Sequence, residues 1–256
     1  MGGSLARALG ALPTLATLAT LAAVTAAPPA AAGLFLPPVL RPVPASLGRE
    51  ADPPAQRYAR LDRVACEAEL GRRGIPFERV DEARGVLAPV RLEGPLHGVT
   101  FTSGLSEARR ATSPWEIADC RLVLALDDFA AQLAAHGIVK VVHYSMYRPP
   151  PSRWPEGRLA SRHPGGLAID AAVFVKGDGS RLDVLKDFHG RIGAHTCGPG
   201  TGPRPATPQA LELRRIVCDA AAAHIFNVEL TPDYNWKHRN HFHLEVAAGV
   251  RWFFVH

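Results

Sequence analysis

Residues 161–170 read Ser-Arg-His-Pro-Gly-Gly-Leu-Ala-Ile-Asp, and residues 241–245 read His-Phe-His-Leu-Glu. Imidazoles and carboxylates are the side chains that hold divalent metals and move protons. Along a strand the side chains alternate, so His241, His243 and Glu245 share one face while Phe242 and Leu244 take the other. The same alternation in Gly-Leu-Ala-Ile-Asp puts Gly166, Ala168 and Asp170 together, small residues leaving open space above the strand. His163 lies just upstream, where glycines let the backbone fold back and carry the ring toward Asp170.

His163, Asp170 and His243 would then offer two nitrogens and one oxygen to a single ion, with water in the fourth position. That is the ligand set of catalytic zinc, although iron and manganese accept it too. Taken singly, a His-x-His pair is more often a polar strand surface than a metal site, and Asp170 reads as a turn cap or an arginine's partner. The pattern joining Ser161, His163, Gly166, Ala168 and Asp170 fixes five positions, a chance match on the order of one in a million per position. The joint pattern carries the reading.

Several elements must position these groups. Residues 58–74 place Leu61, Val64, Ala65 and Ala68 at helical spacing and stop at Gly74. Residues 85–92 read as a short extended segment. A helix is expected from Ser113 to Gly137, with Ser113 and Glu116 as a capping box and Pro114 in the first turn. Residues 138–147 follow as a valine-rich strand, then a proline-rich turn. Residues 168–175 form a strand, Thr207 caps a helix over 207–226 started by Pro208, and residues 241–249 close the chain as a strand. The order helix, strand, helix, strand, strand, helix, strand predicts one α+β domain over 56–256, a small antiparallel sheet with helices packed on one face.

Residues 1–27 carry Arg7 as their one charged side chain and a long Ala/Leu-rich run, the pattern of a cleaved secretory signal. Pro13 and the threonines argue against an anchor, so no membrane span is expected after cleavage. Residues 28–55 are too rich in proline for helix or sheet and read as a linker. The net charge of +5, one less after loss of Arg7, favours anionic surfaces such as cell-wall polymers. With no basic helix and no aromatic-interleaved basic strip, nucleic acid is not an expected partner. Cys66, Cys120, Cys197 and Cys218 form no Cys-x-x-Cys pair, so they suggest one or two disulfides in an oxidising compartment, with three full pairings open. Cys120, inside an apolar helical pattern, also reads as a buried free thiol. His97, His136, His143, His189, His195 and His224 lack partner spacing and read as structural or surface. Trp115, Trp154, Trp236 and Trp252 could line a groove, but packing is the commoner use of such rings.

Ser161, His163, Gly166, Ala168 and Asp170, followed by His241 and His243, resemble the signature of a metallopeptidase superfamily. It contains lysostaphin-type, D-Ala-D-Ala and murein endopeptidases and hedgehog signalling domains. Within it, the ending Pro-Asp-Tyr-Asn-Trp-Lys-His-Arg-Asn-His-Phe-His (232–243) is similar to that of the extensin-like C-terminal family, as are the surroundings of Cys66, Leu87–Leu92 and Cys120. No Ser-Pro repeats of a plant scaffold are present. The resemblance implies one zinc ion on an antiparallel sheet with His163, Asp170 and His243 as ligands. It further implies His241 as a non-ligand histidine that stabilises an oxyanion or moves a proton, and Arg148 as a holder of substrate charge. His238 matches a supporting histidine, with Glu245 and Ser161 as further supporting residues. D-Ala-D-Ala peptidases place a glutamate base where this chain has Asn240, so His241, or in second place Glu245, takes the proton.

The expected function is therefore that of an exported, periplasmic or secreted zinc hydrolase cutting amide bonds in peptidoglycan peptides. A zinc-containing cell-wall binding module without turnover is the alternative, and a metal-free domain stapled by disulfides is a third.

Overall fold

The structure, a computed structural model, describes residues 52–256. The expected signal over 1–27 lies outside the described residues, as does nearly all of the linker. That linker ends earlier than expected: Pro54–Ala59 is a helix, α1, whose Ala55 and Tyr58 are buried.

Helix α2 (Arg63–Arg72) is capped by Asp62, whose carboxylate accepts the Ala65 N–H. Cys66 and Leu70 are its apolar core contacts, whereas Val64, expected inside, is 77% exposed. Next come β1 (Phe77–Arg79), β2 (Pro89–Leu92), β3 (Thr100–Ser103) and the single turn α3 (Glu107–Arg110). The long helix expected from Ser113 is corrected here. Pro114–Glu116 makes one 3-10 turn under the Ser113 cap, Ile117–Asp119 is strand β4, and the helix proper, α4, runs Cys120–Ala135. The reason is tertiary: β4 pairs antiparallel with β2, and β2 with β1, in a three-stranded sheet. Glu116 does not close a capping box, because Oε1 accepts the Ser103 N–H instead. Asp119 caps α4 through Arg121 N–H.

Strand β5 (Ile138–His143) is shorter than the expected 138–147, and after it the backbone runs on beside β6 (Ala168–Lys176). Then follow β7 (Arg181–Asp183), the short α5 (Val184–Asp187), α6 (Pro208–Ala222), β8 (Val228–Leu230), β9 (Phe242–Glu245) and β10 (Phe254–Val255). Thr207 caps α6 as its sequence requires, accepting Ala210 N–H. The main sheet runs β10-β8-β9-β6-β5-β3, with β7 against β6. It is larger and more mixed than expected: β3–β5 and β10–β8 are parallel, the other pairs antiparallel.

Ile169 stands opposite Leu244, and Ala171 opposite Phe242. These fully buried side chains join Phe129 and Leu133 of α4 and Leu213 and Ile216 of α6 in one core. Phe129 meets Phe174 and Phe226 edge-on, with centroids 6.5 and 5.5 Å apart. Two disulfides close the fold. Cys66–Cys120 pins α2 to the start of α4, so Cys120 is no free thiol, and Cys197–Cys218 pins the preceding loop to α6.

Candidate metal centre

With Ile169 and Leu244 committed to the core, strand alternation turns Asp170 and His243 to the other face, where they are direct cross-strand partners. Ala168 and Glu245 are the next pair along the same face. His163 reaches them from a tight loop. Arg162 enters with φ 55°, a left-handed setting rare outside glycine, and His163–Gly165 makes a 3-10 turn. Gly166 follows at φ 64°; a Cβ there would stand 2.7 Å from Asp119 N, and one on Gly165 2.2 Å from Ala160 O. The glycines thus serve close backbone approach, and Gly166 precedes the strand rather than opening space above it. The loop is docked by the Asp119 N–H, which donates to Gly166 O at 2.8 Å. Asp119, fully buried, is anchored in turn by Arg121 through Nε at 2.7 Å and Nη2 at 3.0 Å.

The three groups converge. His163 Nε2 lies 3.0 Å from Asp170 Oδ1 and 3.2 Å from His243 Nδ1, and His243 Nδ1 lies 3.1 Å from Asp170 Oδ1. A tetrahedral ion with bonds of about 2.0–2.2 Å separates its ligand atoms by roughly 3.3–3.6 Å, only a few tenths more. All three residues are buried.

The far side of each ring fixes which nitrogen faces the centre. His163 Nδ1–H donates to the Met146 carbonyl at 3.0 Å, and His243 Nε2–H to Glu245 Oε2 at 3.3 Å. In the neutral rings the converging atoms are therefore lone pairs, meeting a carboxylate oxygen. Three acceptors crowded together repel unless a cation or proton lies among them, so the donor set fits a divalent metal. Burial pushes the His163 imidazole down, against the pull of Asp170. Burial also opposes charge on His243, but Asp170 and Glu245 outweigh it and set its pKa above the ordinary value. Burial alone would raise the Asp170 carboxyl; the surrounding His163, His241 and His243 hold it well below the usual carboxylate range.

His241 Nε2 stands 3.2 Å from Asp170 Oδ1, and its Nδ1–H donates to Asn240 Oδ1 at 2.9 Å. Asn240 Nδ2 donates to the Tyr144 hydroxyl at 3.0 Å, and the Tyr144 and His241 rings meet edge-on at 5.7 Å. Arg148 donates from Nη2 to Asp170 Oδ2 at 3.1 Å, with its side chain half exposed. Glu245 sits behind His243, beside Arg162 at 3.8 Å, so it orients the His243 ring and does not face the centre as a base would. The His238 ring lies 5.2 Å from that of His241 and 5.8 Å from that of His243. Burial, then the two neighbouring histidines, hold its pKa down at about 4. Ser161 is at the surface and contributes a backbone carbonyl to the loop, accepting Gly165 N–H.

Tyr144 and Met146 were not legible as site residues: one acts through Asn240 and the other through its backbone. Among the remaining histidines, His97 pairs with Asp127, His136 lies near Glu212 and Asp219, and buried His143 faces Glu116; none joins the centre. The tryptophans are less packed than expected. Trp115, Trp236 and Trp252 are exposed, and Arg239 stacks on Trp236 at 4.5 Å.

No helix among the described residues is long and apolar enough to cross a membrane. The family model described as extensin-like protein C-terminus matches residues 65–254. No curated protein and no solved structure matches the chain.

Proposed function

The chain belongs to the extensin-like protein C-terminus family, and on that premise we propose that it is an exported metal-dependent hydrolase cutting amide bonds in cell-wall peptides. The observation that carries this reading is the convergence of His163 Nε2, His243 Nδ1 and Asp170 Oδ1 on one point with their lone pairs inward. The same order of ligands supports placing the domain in the lysostaphin, D-Ala-D-Ala peptidase and hedgehog superfamily. Two disulfides and a mild basic excess suit an oxidising cell envelope.

Zinc, or a similar divalent ion, held by His163, Asp170 and His243 would acidify a water molecule and polarise the scissile carbonyl. Hydrolysis adds the water's hydroxyl to the acyl carbon, breaks the C–N bond and delivers a proton to the leaving amine. His241 is placed to move that proton, because Asn240 holds its Nδ1–H and leaves Nε2 beside the carboxylate. Arg148 keeps donors without protein partners among the described residues, and its planar fork suits a substrate carboxylate or oxyanion. Asp170 Oδ2, held by the same guanidinium, leaves Oδ1 to the centre.

Elemental analysis of protein purified without added metal should give close to one ion per chain, falling below about a tenth in Asp170→Asn. Muropeptide release from purified cell walls should then be lost in His241→Ala with the metal retained. One observation favours a second reading, a zinc-containing binding module: Asn240 is engaged with Tyr144 and His241 and supplies no base, which leaves a set of metal-binding groups without turnover. In that case wild type and His241→Ala hold equal metal and neither releases muropeptides.

A further inference from the structure

On the opposite face of the main sheet from the metal ligands, Glu229 of β8 stands beside Leu244 and next to Val255 of β10. It is 1% exposed, and neither carboxyl oxygen has a hydrogen-bond partner. Buried carboxyls are otherwise paired, because an unmet acceptor away from water costs about 1–3 kcal/mol. Glu229 forms part of the wall of a cavity of about 130 Å³, lined also by Ala221, His224, Phe226, Phe253 and Phe254. His224, at φ 52°, lays its ring 4.0 Å from that of Phe253. A lone acid ringed by aromatic side chains has the composition of a cation site: the acid supplies opposite charge and hydrogen-bond acceptors, the rings supply negative faces.

We propose that this cavity binds a small primary alkylammonium group, whose entry displaces the Glu229 proton to solvent, with its N–H donors on the resulting carboxylate and its alkyl chain among Phe226, Phe253 and Phe254. A primary ammonium is chosen over a quaternary one because the two oxygens lack hydrogen-bond donors as well as a counter-charge. The volume, that of roughly four waters, limits the ligand to four or five heavy atoms. The site is independent of the metal centre and of the proposed hydrolysis.

The probe is n-butylammonium chloride, titrated into the full chain with backbone amide NMR as readout and n-butanol as the neutral control. The expected result is saturable shifts centred on Ala221, Phe226 and Val255, with n-butanol at least tenfold weaker. Glu229→Gln should weaken the amine tenfold or more, and Ala221→Leu, which fills the cavity from its rim, should abolish the shifts. Absence of saturable shifts in the wild-type chain overturns the proposal, as does equal binding of amine and alcohol. Should Glu229→Gln fail to fold, the comparison of the two probes on wild type and the Ala221→Leu variant decide the matter.

Discussion

Asp170 and His243 face each other directly across two antiparallel strands, with Oδ1 and Nδ1 3.1 Å apart although 73 residues separate them in the chain. The backbone ladder that fixes this pair also places Glu245 opposite Ala168, one step along the same face. Small Ala168 leaves room for the Glu245 carboxylate to turn back toward His243 Nε2. A sheet register, not a flexible loop, therefore sets both this acid–imidazole pair and the carboxylate that orients the imidazole.

Glu245→Gln tests that orientation. The amide keeps the size of the side chain but accepts the imidazole N–H less strongly and lacks charge. Metal affinity should fall about 10- to 100-fold, the usual cost of losing such a supporting carboxylate. Competition with a chromophoric chelator measures it, and an unchanged far-UV spectrum establishes that the fold persists.

Gly166 in the His163 loop should differ from an unconstrained glycine. Gly166→Ala meets both a left-handed backbone and a contact of 2.7 Å with Asp119 N, while Gly193, at φ 86°, has nothing within 4 Å. Gly193→Ala should cost about 1–2 kcal/mol, the left-handed penalty alone. Gly166→Ala should cost more, and metal content should fall with it because the loop carries His163. Urea midpoints at constant slope give the comparison.

Removing the disulfides should destabilise unequally. Cys66–Cys120 closes 54 residues and Cys197–Cys218 closes 21. In the loop-entropy account these are worth about 4 and about 3 kcal/mol. The double variants Cys66→Ala/Cys120→Ala and Cys197→Ala/Cys218→Ala, unfolded in urea, should rank in that order.

Glu229 should leave a mark on the pH dependence of stability. Burial raises its pKa in the folded protein well above 4.5. Its contribution is then fully present below the unfolded value and is lost as pH rises toward the folded one, since the unfolded chain releases the proton first. Over that window the slope attributable to Glu229 should be about −1.4 kcal/mol per pH unit. In Glu229→Gln it should vanish, read as the difference between wild-type and variant urea midpoints from pH 4.5 upward. A parallel dependence in both proteins would contradict it.

Local signals were legible wherever a few neighbouring residues settle the outcome. Thr207 followed by Pro208 marked the start of α6, and alternation in His-Phe-His-Leu-Glu sorted the polar face from the core. The segment 113–119 failed because its capping residues suit a helix, yet β2 offers it a sheet edge, and pairing there outcompetes one more helical turn. Cys120 carried no mark of its partner, since proximity to Cys66 comes from α2 packing on α4. Val64 fitted a helical stripe on the face that α2 turns outward.

The sequence by itself determined the donors: His163, Asp170 and His243, their strand parity, and the glycines that let the His163 loop bend. Those properties follow from side-chain chemistry and backbone geometry within about ten residues. Tertiary structure alone decided that the donors meet, that Asn240 serves His241 and Tyr144 in place of acting as a base, and that Glu229 is buried without a partner. Each depends on which distant strands pair and in what register, and a shift of one residue along β6 or β9 would have turned Asp170 or His243 to the other face.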